Sequence, residues 1–70
     1  MGSVYKVVEI VGTDETSWEA AAAGAIETAA RTLRDLRVAE VVEQDIVIGD
    51  DGKAESFRVK LSVSFKYDPD

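Results

Sequence analysis

The segment from Glu55 to Tyr67 alternates almost without error between apolar and polar side chains. A period of two over that length is typical of a β-strand with one buried face and one polar face. The apolar positions are Phe57, Val59, Leu61, Val63 and Phe65, and the polar positions are Arg58, Lys60, Ser62, Ser64 and Lys66. The pattern therefore predicts an amphipathic strand over residues 55–67.

Two further strands and one helix are predicted before this segment. β-Branched residues predict a strand over residues 4–11, which the stretch from Gly12 to Glu15 is expected to break. A less regular strand is expected over residues 37–48, where adjacent Val41 and Val42 indicate a bulge or burial on both faces. Between them, Thr16 and Glu19 match a capping box that opens a helix over about residues 17–35. The apolar stripe of this helix is mostly alanine and comprises Trp18, Ala21, Ala22, Ala25, Ile26, Ala29 and Leu33.

The order β-α-β-β predicts a single α+β domain over residues 1–70, with one helix against a three-stranded sheet. One helix covers only one face of that sheet, so the other face is left bare in an isolated chain. At 70 residues a lone core is marginal, and without cysteine no disulfide supports it, so we expect a homo-oligomer. Burial within each chain is expected to centre on Val7, Ala25, Ala29, Leu33, Val59, Leu61 and Val63.

Composition narrows the function classes. The net charge of −6 disfavours nucleic acid and anionic membrane surfaces as partners. No apolar run approaches the roughly 18 residues of a membrane span, and no basic segment precedes an apolar one, so a cytoplasmic location is expected. The sequence has neither cysteine nor histidine, which removes the usual nucleophile–base pairs and zinc sites. An enzyme is therefore not expected.

Two features carry more than one interpretation. Asp50 and Asp51, in a turn flanked by glycines, fit either an ordinary turn or part of a calcium site, for which two carboxylates alone are too few. Trp18, the only tryptophan, fits either a core or interface anchor or a ligand-stacking role. Carboxylates that meet across subunits would supply the missing oxygen ligands for a cation. The metal ligands predicted in this way are Glu40, Glu43, Asp45 and Asp50.

The polar face of the last strand also has two interpretations. Arg58, Lys60 and Lys66 form a basic row that fits either a phosphate grip or cross-strand pairing with carboxylates. Oppositely charged residues on neighbouring strands stabilise each other when they lie directly opposite. We therefore expect this row to pair with Glu40 and Glu43, on the neighbouring strand or on the next subunit.

Three segments together resemble the dodecin family. They are Val4-Tyr5-Lys6 with Glu9-Ile10-Val11-Gly12-Thr13, Ala29-x-x-Thr32-Leu33-Arg34-x-Leu36, and Val59-x-Leu61-x-Val63-x-Phe65. The resemblance covers nearly the whole chain in the same β-α-β-β order. It implies a three-stranded antiparallel sheet wrapped around one helix, and twelve copies that close into a hollow shell with cubic symmetry. It also implies a storage protein, because family members hold flavins in pairs between interface tryptophans and do not turn them over.

The positions that match the family's flavin site are Val38, Glu40 and Arg58. Val38 stands where a tryptophan stacks on the flavin, Arg58 stands where a glutamine binds its ring, and only Glu40 is retained. Because valine cannot replace an aromatic stack, the standard flavin mode is expected to be lost. The segments Thr16-Ser17-Trp18-Glu19 and Arg37-Val38-Ala39 resemble a divergent subgroup associated with calcium. We therefore expect a non-catalytic shell that binds small ligands or cations, and we expect calcium rather than flavin as its ligand. The alternative is a riboflavin- or FMN-storing shell with altered site geometry.

Overall fold

The computed structural model describes residues 2–67, with the element order β-α-β-β. The elements are β1 (Tyr5–Asp14), α1 (Trp18–Ala29), β2 (Leu36–Ile48) and β3 (Ala54–Lys66). The strands form one antiparallel sheet in the order β1-β3-β2, with β3 at the centre. The α1 helix packs on one face of this sheet, against β1 and β3. The predicted α+β fold is therefore confirmed, and the sheet face opposite α1, here called the outer face, has no helix over it.

The core lies between α1 and the inner face of the sheet. Its buried residues, each 1% exposed, are Ala21, Val59, Leu61 and Val63. Packed around them are Val8, Ile10, Trp18, Ala22, Ala25, Ile26, Leu36 and Ala39. The other predicted core residues of the helical region, Ala25, Ala29 and Leu33, are only partly buried. The prediction for Val7 is wrong, because the register pairs it with Ser64 on the outer face, where it is 60% exposed.

Gly12 does not break β1, which continues to Asp14 instead of ending near Val11. The glycine is buried beneath α1. A Cβ at this position would overlap the carbonyl oxygen of Ala21 and lie 2.8 Å from the Cβ of Ala25. Gly12 is therefore needed for the close approach of the helix to the strand rather than for a turn.

The α1 helix begins with a different cap from the one predicted. Ser17 is the N-cap, and its hydroxyl accepts a hydrogen bond of 3.0 Å from the backbone N–H of Ala20. Thr16 instead donates its backbone N–H, at 2.8 Å, and its hydroxyl to the carboxylate of Asp14. The predicted capping box from Thr16 is therefore wrong. The hydrogen bonds from Thr16 hold the pKa of Asp14 below its ordinary value.

The helix also ends earlier than predicted, at Ala29 rather than near Asp35. Asp35 adopts the left-handed backbone conformation, with φ of 59°, which aspartate tolerates better than most residues. Its carbonyl oxygen accepts a hydrogen bond of 3.1 Å from the backbone N–H of Lys66, which fixes the return of the chain onto the sheet. No helix among the described residues is long and apolar enough to cross a membrane.

The register of β2 against β3 is interrupted, which confirms the first of the two explanations for the adjacent valines, a bulge. Val41 lies opposite Leu61 and Glu43 lies opposite Lys60, which makes Val42 the extra residue of a β-bulge. Val38 and Glu40 before the bulge and Glu43 and Asp45 after it consequently share the outer face. Two further register shifts lie between Leu36 and Val38 and between Val47 and Ile48.

The chain is more extended than a domain of its length that folds alone. Its radius of gyration is 14.5 Å and its principal extents are 54 × 20 × 15 Å. A compact domain of this length has a radius of gyration of about 11 Å. In this extended chain several apolar residues of β2 are exposed, and the most exposed of them is Ile48, at 70%.

Candidate functional site

The outer face of the sheet carries charges of both signs in adjacent rows. Strand pairing aligns Thr13, Arg58 and Asp45 in one row, Val11, Lys60 and Glu43 in the next, and Glu9, Ser62 and Glu40 in the third. Side chains opposite each other on antiparallel strands have Cβ atoms about 4.5–5.5 Å apart, close enough to interact directly. We call the five charged residues that pair here the charge ladder; they are Glu9, Glu43, Asp45, Arg58 and Lys60.

Arg58 and Asp45 form the tightest contact of the charge ladder. Arg58 Nε donates to Asp45 Oδ1 at 2.7 Å and Arg58 Nη2 donates to Asp45 Oδ2 at 2.9 Å, so both carboxylate oxygens are bound. The arginine holds the pKa of Asp45 below its ordinary value, and the carboxylate raises the pKa of Arg58. The prediction that Arg58 pairs with Glu40 or Glu43 is therefore wrong: its partner is Asp45.

Lys60 sits between two carboxylates, one on each neighbouring strand. Its Nζ lies 3.6 Å from Glu9 Oε1 and 3.8 Å from Glu43 Oε1. The predicted pairing of Lys60 with Glu43 is confirmed. The contact with Glu9 was missed because the sequence does not reveal that β1 lies beside β3. Since Arg58 and Lys60 are both neutralised within the chain, the structure favours cross-strand pairing over a phosphate grip.

Trp18 connects α1 to the row that contains Asp45 and Arg58, and it reaches this row from the inner face of the sheet. Its indole Nε1 donates a hydrogen bond of 3.1 Å to the backbone oxygen of Asp45. Its ring packs edge-on against Phe57, with centroids 5.1 Å apart and an interplanar angle of 74°. These contacts support the interpretation of Trp18 as an anchor within the chain. Asp45 therefore has a second contact besides Arg58, and no sequence signal indicated it.

The three positions that match the family flavin site do not converge within one chain. Val38 is 63% exposed and lies opposite Ser64, and Glu40 lies in the adjacent row opposite Ser62. Arg58 is six residues from Ser64 along β3, which at about 3.3 Å per residue separates it from Val38 by about 20 Å. Only a ligand about 20 Å long could therefore touch both positions of one chain.

The four predicted metal ligands are also dispersed. Glu40, Glu43 and Asp45 share the outer face, whereas Asp50 lies in the turn between β2 and β3. Among residues 2–67, no group of three or more acidic, histidine or cysteine side chains lies close enough to hold a metal ion. The carboxylates of residues 2–67 of one chain are therefore too dispersed for a calcium ion, which takes 6–8 oxygen ligands in proteins.

The turn that carries Asp50 has the features of an ordinary connection. Asp51 Oδ1 accepts a hydrogen bond of 3.0 Å from the backbone N–H of Lys53. Gly52 adopts a positive φ of 80°, as a tight turn requires. The turn geometry is thus explained without a bound ion.

Apolar side chains flank the charge ladder on the two outer strands. They are Tyr5, Val7, Val11 and Val38, exposed by 48%, 60%, 59% and 63%. Contiguous exposed apolar surface rimmed by polar residues marks a surface that contacts a partner. The outer face thus combines apolar contact area with charges of both signs.

The β-α-β-β order, the single helix on one face and the bare, charged opposite face define a small α+β subunit of a recognisable class. The sequence matches the Dodecin family over residues 4–68. The chain belongs to the dodecin family.

Relatives with known names and structures cover nearly the whole chain. Calcium dodecin from Mycobacterium tuberculosis is 52% identical over 67 residues, covering 96% of this chain and 93% of the relative. A crystal structure of that protein, described as calcium chelating with a novel calcium-binding site, covers 96% of this chain and 94% of its own, with a TM-score of 0.84. Dodecin from Thermus thermophilus is 47% identical over 66 residues, 94% of each chain. A dodecin structure from Streptomyces davaonensis is 32% identical, with a TM-score of 0.90, over 97% of this chain and 98% of that one.

Proposed function

We propose that this protein is a non-catalytic subunit of a hollow homododecameric shell that binds and stores cations, calcium in particular. The observation that carries this proposal is the 52% identity, over nearly the full chain, to a relative named Calcium dodecin. The outer face of this chain adds support, because three of the four predicted ligands, Glu40, Glu43 and Asp45, lie on it.

Three properties of the chain support self-association. The outer face has no helix over it and exposes Val7 and Val38. Among residues 2–67, the two edge strands β1 and β2 each have one side without a neighbouring strand, and unpaired strand edges are templates for contact with another chain. The extended shape is a further argument, since a chain with this radius of gyration is less compact than a domain of its length that folds alone.

We propose that the cation lies between copies, because residues 2–67 of one chain bring too few carboxylates together to hold it. The carboxylates that we propose for this role are Glu40, Glu43 and Asp45 on the outer face and Asp50 in the turn between β2 and β3. Twelve chains at −6 each carry a formal charge of −72. Such a charge repels itself and favours the uptake of counter-ions. Screening and specific binding are therefore separate effects that need separate experiments.

The first prediction is that calcium stabilises the assembled shell by more than its contribution to ionic strength explains. In about 1 M sodium chloride the Debye length falls to about 3 Å, so added salt no longer changes long-range repulsion. Millimolar calcium added to that background is expected to raise the melting temperature. A ligand at about 100 times its Kd stabilises the folded state by about 2.7 kcal/mol. Magnesium is expected to do less, because it demands near-ideal octahedral geometry.

Two variants and one hydrodynamic measurement control this experiment. Glu40→Gln is expected to reduce the calcium shift, whereas Glu27→Gln, the same change on the exposed surface of α1, is expected to leave it intact. Sedimentation of the same samples is expected to show a particle of about 91 kDa, twelve times 7.6 kDa. If calcium and sodium stabilise the shell equally at matched ionic strength, calcium acts only by screening charge and has no specific site. A folded monomer at micromolar concentration would refute the shell.

The second prediction concerns flavin. Titrating riboflavin or FMN and following its fluorescence is expected to show weak quenching or none, because Val38 offers no aromatic face for stacking. The double variant Val38→Trp, Arg58→Gln is expected to bind flavin more tightly, since it restores both residue types that the family site uses. Val38→Leu in the Arg58→Gln background is the matched control, as leucine adds size without an aromatic ring. Nanomolar quenching by the natural sequence would instead favour the flavin-storing alternative.

A further inference from the structure

Five of the eight basic residues of the chain lie at one end of the molecule. This end comprises residues 4–6, 30–37 and 65–67, where Tyr5 pairs with Lys66 at the last row of β1 and β3. The connection from α1 joins the sheet here, because the backbone N–H of Lys66 donates to the carbonyl oxygen of Asp35. We call this the basic end, and its cations, all exposed, are Lys6, Arg31, Arg34, Arg37 and Lys66.

The opposite end of the molecule is acidic. It comprises residues 14–19, where β1 stops and α1 begins, and residues 47–56, where β2 and β3 continue as a hairpin. The groove beside this hairpin is lined by Asp14 and Glu15 from one segment and by Glu55 from the other, so the two segments lie together. We call this the acidic end, and its carboxylates are Asp14, Glu15, Glu19, Asp50, Asp51 and Glu55.

Each end keeps a net charge. At the basic end the described residues include one carboxylate, Asp35, so five cations and one anion leave +4. The two carboxylates of residues 68–70, outside the described part of the chain, are too few to reverse that sign. At the acidic end six carboxylates and one cation, Lys53, leave −5. The described part of the chain is therefore strongly polarised along its length.

The two ends are too far apart to neutralise each other within one chain. Glu55 and Lys66 are 11 residues apart on β3, which corresponds to about 36 Å of strand. The ion pairs among residues 2–67 use Arg58 and Lys60 as their cations, and both belong to the charge ladder between the ends. Only another molecule can therefore bring a cation of the basic end to a carboxylate of the acidic end.

The hairpin at the acidic end also lacks cover for its apolar surface. Beyond the row of Asp14, Phe57 and Ile46 the described sheet has two strands, and a two-stranded hairpin alone is at best marginally stable in water. Ile48 of this hairpin is 70% exposed, and Tyr5 at the basic end is 48% exposed. A contact between the two ends would thus bury apolar surface in addition to pairing opposite charges.

We propose that the acidic end of one copy docks on the basic end of a second copy, so that subunits associate head to tail. This inference rests on the proposed shell and names the surfaces through which its subunits meet. Opposite ends attract each other and like ends repel, so charge selects this arrangement over a contact between two identical ends. A head-to-tail contact is heterologous, and in a closed particle such contacts form rings.

Charge reversal at each end tests the proposal. The acidic-end variant is Glu15→Lys with Glu55→Lys, and the basic-end variant is Arg31→Glu with Arg34→Glu. All four residues are exposed, and none is a proposed cation ligand. Sedimentation of a dilution series in sub-denaturing urea measures the protein concentration at half dissociation. Each variant is expected to raise that concentration about tenfold or more, because like charges then face each other across the contact.

The direction of the effect separates a specific contact from general repulsion. The acidic-end variant changes the formal charge of the chain from −6 to −2, because two reversals add +4. General repulsion between negatively charged copies would therefore predict tighter association of this variant, whereas the proposed contact predicts weaker association. Glu27→Lys, on the exposed surface of α1, is the matched control for Glu55→Lys alone. It is expected to leave the half-dissociation concentration within about twofold of the natural value.

A variant that combines all four reversals provides the decisive comparison. Its acidic end becomes less negative and its basic end less positive, so the repulsion created by either pair of reversals is removed. Association is therefore expected to return toward that of the natural protein, a coupling between the two pairs of changes that independent sites would not show. Circular dichroism of each variant establishes that the chain remains folded.

The outcomes distinguish the inference from the proposed shell. If the natural protein forms a particle of twelve chains and neither pair of reversals weakens it, the docking surfaces are wrong and the shell stands. If both pairs weaken association but their combination restores none of it, the two ends do not meet and the inference fails. A natural protein that sediments as a folded monomer at micromolar concentration would remove both the inference and the shell.

Discussion

Gly12→Ala is expected to lower the free energy of unfolding by about 3 kcal/mol, at the upper end of the range for overpacked cores. The added Cβ would overlap the carbonyl oxygen of Ala21 and lie 2.8 Å from the Cβ of Ala25. Neither neighbour is the end of a flexible side chain, so relief requires that α1 moves away from β1. Urea denaturation followed by circular dichroism measures the change.

The matched control for this variant lies within the helix itself. A Cβ at Gly24 would meet no atom within 4 Å. Because alanine is favoured over glycine by about 0.8–1.0 kcal/mol inside a helix, Gly24→Ala is expected to stabilise the chain or leave it unchanged. If Gly12→Ala unfolds at the same urea concentration as the natural protein, the close contact between α1 and β1 is wrong.

Leu61→Ala is the second large effect that we expect, a loss of about 2–5 kcal/mol. Leu61 is 1% exposed at the centre of β3, where it lies between Ile10 on β1 and Val41 on β2. Truncation leaves a cavity that the surrounding strands cannot close without breaking the sheet register. The thermal or urea midpoint reports the loss.

An exposed valine gives the comparison for Leu61. Val4 is 63% exposed and precedes β1, so Val4→Ala is expected to change stability by no more than about 0.5 kcal/mol. A Leu61→Ala variant as stable as Val4→Ala would mean that the core is not centred on β3.

Much of the fold follows from local sequence, and the misses have physical causes. The alternation of β3 predicted both the strand and its buried face, because every second side chain is apolar and the others are polar. In β1 the same rule fails, since Val7, Val8, Ile10 and Val11 are apolar on both faces. Only pairing with β3 decides that Val8 faces the core and Val7 does not.

The helix boundary was missed for a different reason. Residues 30–34 contain good helix formers, so local propensity extends the helix beyond Ala29. The chain instead turns at Asp35 to start β2 beside β3, and this tertiary requirement overrides propensity. Gly12 was misjudged similarly, because its role is set by α1, which is distant in sequence.

The candidate site was predictable in composition but not in pairing. The sequence placed Lys60 near Glu43, and the structure agrees. It did not place Arg58 opposite Asp45, because that match depends on the register shift at the bulge in β2. The contact of Lys60 with Glu9 depends on strand order, which the pattern of one strand does not contain.

The bulge at Val42 has a consequence for how this protein can change. Without the extra residue in the pairing, Glu43 and Asp45 would exchange faces with Gln44 and Ile46, because side-chain direction alternates along a strand. One inserted or deleted residue in β2 therefore inverts a block of surface chemistry without any substitution. Whether the number of residues in β2 is odd or even thus decides whether two acidic side chains, or Gln44 and Ile46, face outward.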